Sequence, residues 1–187
     1  MRKILLTVIT SLCFLLTFSQ VTERIADKNT IPDIIPDNDA TIFIVVRHGE
    51  KMDDSKDPHL DSNGIKRAQT LQLILSKIAL QNIYATPYNR TKETVKPTAD
   101  SKNQQVQEYS PKMPFRDLAD SLLSANKGKK ALIAGHSNTV PAIVKALGKS
   151  DMEITITEDS FDHLYIIIIP KKGTPVIKSF KYGQETS

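Results

Sequence analysis

The chain has 187 residues, 25 of them basic and 21 acidic, for a formal net charge of +4. That length suits one ordinary domain with a real core. The excess of positive charge is too small and too scattered to argue for a nucleic-acid partner, and a lone cysteine, Cys13, excludes a disulfide framework or a cysteine metal site.

The first residues differ from all that follow. Arg2 and Lys3 precede an apolar run over 4–18, and Thr17 and Ser19 are small residues placed for a cut before Gln20. This is the layout of a secretory signal peptide over 1–19, and the run is short for a membrane span. The mature protein is therefore expected outside the cytoplasm, periplasmic or extracellular, with no membrane contact beyond the signal or an uncleaved anchor. Residues 20–40 read as an extended leader, because the near-repeat Ile31-Pro32-Asp33 and Ile35-Pro36-Asp37 restricts the residues before its prolines to extended conformations.

A single domain is expected over 41–187. It starts with an apolar strand over 42–46 that stops at Arg47-His48-Gly49-Glu50. A polar loop over 51–61 leads to a helix over 62–78, on which Ile65, Ala68, Leu71, Leu75 and Ile78 recur at helical spacing. A short strand over 81–85 ends at Thr86-Pro87 and opens a helix over 88–94. A strand over 106–109, a helix over 113–125 and an apolar strand over 131–134 follow. The chain then turns through Gly135-His136-Ser137-Asn138 into a helix over 139–147. Strands over 164–169 and 176–180 close the domain as an antiparallel pair at one edge. The alternation predicts an α/β three-layer sandwich, a mostly parallel central sheet with helices on both faces. Ligands of such sheets bind beyond the carboxyl ends of the strands. His48 and His136 both follow strand ends, so the architecture puts them on one rim.

Each segment is weak alone. Arg47 could be a surface ion-pair residue, His48 a loop histidine and Arg90 part of a solvated helix face; Thr86 reads as a helix cap. Together and in order, Arg47-His48-Gly49-Glu50, Leu60 to Ala68, Thr86 to Thr91 and Gly135 to Thr139 resemble the histidine phosphatase superfamily, the phosphoglycerate mutase-like family. The resemblance runs from about residue 41 to the end of the chain. It implies that His48 is the nucleophile that carries a phosphohistidine, and that Arg47, Arg90 and His136 hold the phosphoryl oxygens. Two guanidinium groups and a second imidazole suit that chemistry, which demands positioning and charge more than covalent help. The reading calls for no metal and no cofactor.

The proton donor for the leaving group is less evident. Glu108 is the nearest counterpart of the mutase-type glutamate, with Asp53 and Asp54 as further candidates. Ser137 stands where the acid-phosphatase branch has an aspartate. Glu50 is read as a partner for a neighbouring arginine rather than as the acid. The expected activity is hydrolysis of a phosphomonoester or phosphoramidate, on a phosphorylated small molecule or a phosphoprotein. A mutase would need covering segments that these short loops do not supply. Two other classes stay open: a phospho-ligand binding protein of the same fold, and a serine hydrolase built on the partial elbow Gly135-His136-Ser137-Asn138-Thr139. His59 and His163 match no motif.

Overall fold

The computed structural model describes residues 23–25, 30–35 and 39–186. The signal-peptide expectation over 1–19 lies outside the described residues. In chain order the elements are β1 (Glu23–Ile25), α1 (Thr30–Ile34), β2 (Thr41–Arg47), α2 (Ser62–Ile74), β3 (Asn82–Ala85), α3 (Asn89–Ser101), β4 (Val106–Glu108), α4 (Phe115–Ala125), β5 (Lys130–Gly135), α5 (Thr139–Gly148), β6 (His163–Ile169) and β7 (Val176–Tyr182). The strands form one sheet in the order β1-β7-β6-β2-β5-β3-β4. Neighbours are parallel except at β6, which runs antiparallel to both β2 and β7.

Every residue of β2 is buried. Side chains alternate across a strand, so both faces of the sheet must be covered. Ile42, Ile44 and Val46 pack with Leu71, Ile74 and Leu75 around α2 and with Val95 and Ala99 of α3. Phe43 and Val45 pack on the opposite face with Leu118 and Leu122 of α4 and Val140, Ile143, Val144 and Leu147 of α5. These are the expected three layers.

The register positions the site. Arg47 pairs with Gly135, and Ala85 pairs with Ala134, so Arg47, Thr86 and Gly135 lie level across three adjacent strands. The His48 N–H donates to the Gly135 carbonyl at 2.9 Å, which extends the ladder by one step and brings the two motifs together.

Several expectations are corrected. The leader is not simply extended: it contributes β1, which pairs with β7, and the short helix α1, closed by a bond from the Ile35 N–H to the Ile31 carbonyl at 3.1 Å. Pro32 falls in the first turn of α1, where its missing N–H has no intrahelical partner to lose. Because β1 occupies the outer position, the antiparallel pair β6–β7 is not the edge of the sheet, and Ile166, Ile167 and Ile168 are paired on both sides. Helix α2 stops at Ile74 rather than 78, although Ile78 remains buried. Helix α3 runs to Ser101 rather than 94 because its inner stripe is Thr91, Thr94, Val95, Thr98 and Ala99. A face built largely of threonine escapes a search for apolar periodicity. No helix among the described residues is long and apolar enough to cross a membrane.

Candidate active site

Arg47, His48, Arg90 and His136 meet in one cleft of about 460 Å³ at the carboxyl ends of β2, β3 and β5. Arg47 is 1 % and His48 4 % exposed, so the pair forms the floor. The His48 and His136 rings stand 5.3 Å apart, edge to face.

The turn after β2 is held tightly. The Gly49 N–H donates to Thr94 Oγ1 of α3 at 2.8 Å. A Cβ at Gly49 would lie 2.9 Å from Gly64 Cα and 3.0 Å from the Gly64 carbonyl oxygen, so only glycine lets this turn press against the start of α2. Asp61 caps that helix, accepting from the N–H groups of Asn63 and Gly64, both at 2.8 Å. Glu50 forms its pair with Arg67, at 2.7 Å, rather than with Arg47.

His48 Nδ1 lies 2.7 Å from the Gly49 carbonyl oxygen. A carbonyl can only accept, so Nδ1 carries the proton and Nε2 keeps its lone pair. Burial pushes the His48 pKa down to about 3; the Gly49 bond opposes this, and the nearby Arg47, His136 and Arg90 reinforce it. The imidazole is therefore neutral and nucleophilic at neutral pH. His136 is lowered to about 4, first by burial and then by Arg90 and Arg47. Its Nε2 lies 3.0 Å from Thr86 Oγ1, and its Nδ1 lies 3.4 Å from a terminal nitrogen of Arg90. The guanidinium must donate, so Nδ1 is the acceptor and Nε2–H donates to Thr86. Thr86 thus orients His136 and bonds Thr91 at 2.7 Å; it is not the helix cap expected from sequence, a position held by Tyr88.

The two arginines are only partly satisfied. Arg47 donates to the carbonyls of Thr157 and Ser160 at 2.6 and 3.1 Å and pairs with Glu158 at 3.1 Å, with its guanidinium 4.2 Å from the Phe161 ring centre. Arg90 lies over Tyr88 at 4.6 Å. Arg47 Nε and one terminal nitrogen of Arg90 are buried without a hydrogen-bond partner, the latter lying 3.8 Å from Asp57 Oδ1. Unmet cationic donors at a cleft floor favour an anion.

Glu108 does not belong to this site. It sits at the end of β4, pairs with Lys92 at 3.3 Å and does not line the cleft. Strand β4 lies at the far edge of the sheet, beyond β3, which separates it from β2 and β5. Asp53 and Asp54 also stay outside: Asp54 pairs with Lys51, and Asp53 accepts from the Ser55 N–H at 2.9 Å. The carboxylate that does line the cleft is Glu158, which sequence reasoning missed. It lies in an aperiodic loop. No signal in the sequence marks it: its place follows from β6 running antiparallel to β2, which returns the loop entering β6 to the rim where β2 ends. The serine-hydrolase alternative lacks its histidine base: the Ser137 hydroxyl donates to Glu158 at 2.6 Å, and the His163 ring is engaged by Lys181 and Tyr165. Among the described residues, no three His, Cys, Asp or Glu side chains are grouped to hold a metal ion.

The sequence model of the histidine phosphatase superfamily (branch 1) matches residues 43–110. That segment holds Arg47, His48 and Arg90, and the sheet register adds His136. Over that segment the chain is similar to the histidine phosphatase superfamily. Similar solved folds include the protein histidine phosphatase SixA complexed with tungstate, at TM-score 0.62 and 16 % identity over 75 % of this chain and 96 % of that one. A mycobacterial glucosyl-3-phosphoglycerate phosphatase has a TM-score of 0.59 at 11 % identity, over 77 % of this chain and 100 % of its own. Phosphoserine phosphatase from Entamoeba histolytica, in complex with 3-phosphoglyceric acid, has a TM-score of 0.55 at 18 % identity, over 77 % and 98 %. At such identities the likeness is one of fold. No curated protein sequence matches the chain significantly.

Proposed function

We propose that the protein is a phosphatase that hydrolyses a phosphomonoester or phosphoramidate through a phosphohistidine on His48. The observation that supports this best is the tautomer of His48: Nδ1–H is held by the Gly49 carbonyl, leaving a neutral Nε2 in a cleft with two incompletely satisfied arginines. In the first step the Nε2 lone pair forms a bond to phosphorus as the bond to the leaving group breaks, with that bond's electron pair departing on the leaving atom. In the second step water attacks phosphorus, the P–N bond returns its pair to Nε2, and phosphate leaves. Arg47 and Arg90 match the charge on the phosphoryl oxygens in both steps, and His136, held between Arg90 and Thr86, lines the cleft beside them. Hydrolysis is preferred to mutase chemistry because the cleft is open to water, with Glu158 at its mouth 78 % exposed. The export read from residues 1–19 belongs to the same proposal and rests on the sequence alone.

The decisive experiment compares wild type with His48→Ala on phosphate esters, phosphoserine and phosphohistidine. Turnover should fall by about 10³-fold or more, and acid-labile phosphate should be trapped on wild type but not on the variant. A variant that keeps wild-type rates overturns the reading. Phosphate binding by a wild type that turns over none of these substrates favours a binding protein instead.

A further inference from the structure

A leaving alcohol needs a proton as its bond to phosphorus breaks, and nothing assigned so far supplies one. This question rests on the phosphohistidine reading above. Among the described residues that line the cleft, Glu158 carries the only carboxylate. Its two oxygens bridge the motifs: Oε2 lies 3.1 Å from Arg47, the residue before the nucleophile, and Oε1 accepts from Ser137, the residue after the second histidine, at 2.6 Å. The Glu158 side chain is 78 % exposed, whereas His48 beneath it is 4 % exposed. In-line displacement puts the leaving group opposite the attacking nitrogen. With the nucleophile on the floor, the leaving group departs toward the open mouth, where Glu158 stands.

We propose that Glu158 is the proton donor of this site, giving its proton to the leaving oxygen in the first step and taking one from the attacking water in the second. The steps balance. The leaving oxygen keeps the electron pair of its broken bond to phosphorus and receives the carboxyl proton. The water then returns a proton to the carboxylate as its oxygen bonds phosphorus and the pair of the P–N bond returns to His48 Nε2.

The charge pattern fits a donor that is loaded by substrate. In the free cleft the Ser137 hydroxyl, followed by Arg47 and Lys51, holds Glu158 below the usual carboxylate range. The groups facing it are Arg47 at the end of β2, Lys51 in the loop that follows, Ser137 and His136 ahead of α5, and the adjacent Asp159 in its own loop. A bound phosphoryl dianion competes for Arg47 and adds a like charge beside the carboxylate. Both changes raise its pKa, so the group protonates when the substrate arrives.

The test is Glu158→Gln against wild type on phosphate monoesters graded from nitrophenyl to alkyl leaving groups, with folding checked by circular dichroism and urea unfolding. The variant should lose about 10²–10³-fold on alkyl esters and much less on nitrophenyl phosphate, so that its rates depend more steeply on leaving-group basicity. The fall of wild-type kcat at high pH should be absent from the variant, and Glu158→Asp should restore part of the alkyl-ester rate. An equal loss on all esters, or a gain from removing the carboxylate's grip on Arg47, overturns the assignment while His48 chemistry stands. Loss of the distinction between wild type and His48→Ala strikes the phosphohistidine reading instead.

Discussion

Two buried arginines, Arg47 and Arg67, stand about equally hidden from water, at 1 % and 2 % exposure, yet they are held in opposite ways. Arg67 is fully used: its Nε and one terminal nitrogen grip Glu50 at 2.7–3.2 Å, and its terminal nitrogens also donate to the carbonyls of Tyr182 and Gln184 at 2.8 Å. Burial works against its charge, but the Glu50 bonds and surrounding negative charge leave its pKa raised. Arg47 has an idle Nε, an ion pair with an exposed carboxylate, Glu158, and a pKa lowered first by burial. The first arginine ties α2 to the end of β7. The second holds part of its hydrogen-bonding capacity in reserve for an anion. Burial alone does not separate a structural cation from a functional one; the completeness of its hydrogen bonds does.

Paired substitutions test that contrast most sharply. Arg67→Met leaves Glu50 and two carbonyls without their partner, and breaking a buried pair in this way costs about 3–5 kcal/mol. Urea unfolding should show a loss of that size. Arg47→Met should cost clearly less stability, yet it should lower kcat by about 10²–10³-fold, the effect of removing one charge-stabilising donor. Thermal shift with inorganic phosphate should stabilise wild type and the Arg67 variant but not the Arg47 variant. If both arginines respond alike in stability and activity, the distinction fails.

A smaller effect separates the cleft from the Arg67 knot by pH. His48 and His136 have folded-state pKa values of about 3 and about 4, against an ordinary value of 6.5. Between these limits the unfolded chain binds more protons than the folded one, so stability rises with pH. It is fully present above about pH 6.5 and is lost progressively as pH falls toward 3–4. Wild type should therefore be less stable at pH 5 than at pH 7, by roughly 1–2 kcal/mol per histidine. His48→Asn/His136→Asn should lose less over the same interval; an equal loss would place the pH dependence elsewhere, for example at His163, also lowered to about 4. By the same protonation logic, His48 should not limit the activity of the free enzyme near pH 6.

Much of this was legible in the sequence. The run 42–46 is apolar because both faces of β2 are buried, and its abrupt end at Arg47 marks the rim. His136 follows a strand end for the same reason, so the class of fold was enough to bring it to His48, whereas Arg90, inside α3, was singled out only by its place after Thr86-Pro87 and the resemblance. Three things escaped, each for a physical reason. The inner stripe of α3 is threonine, which carries no hydrophobic signal, although Thr94 holds the Gly49 turn. Strand β1 is three residues long and gains its meaning only from pairing with distant β7. Glu158 sits in a loop whose position follows from the direction of β6, and strand direction is a property of the assembled sheet.

The same point yields the smallest and cleanest prediction. Sequence order makes Glu108 the natural counterpart of a mutase-type acid, because it ends the strand that comes after Arg90. The structure removes that role: Pro111 and Lys112 beyond β4 line the cleft but Glu108 does not, and it is a half-exposed partner of Lys92, which is itself 39 % exposed. Such pairs contribute about 0–1 kcal/mol because water and salt screen them. Glu108→Gln should therefore change kcat by less than about twofold on every ester and shift the unfolding midpoint only slightly. A large, leaving-group-dependent loss in this variant would mean that β4 reaches the cleft during turnover, and the proton donor would then have to be sought on its side of the sheet rather than beside Arg47.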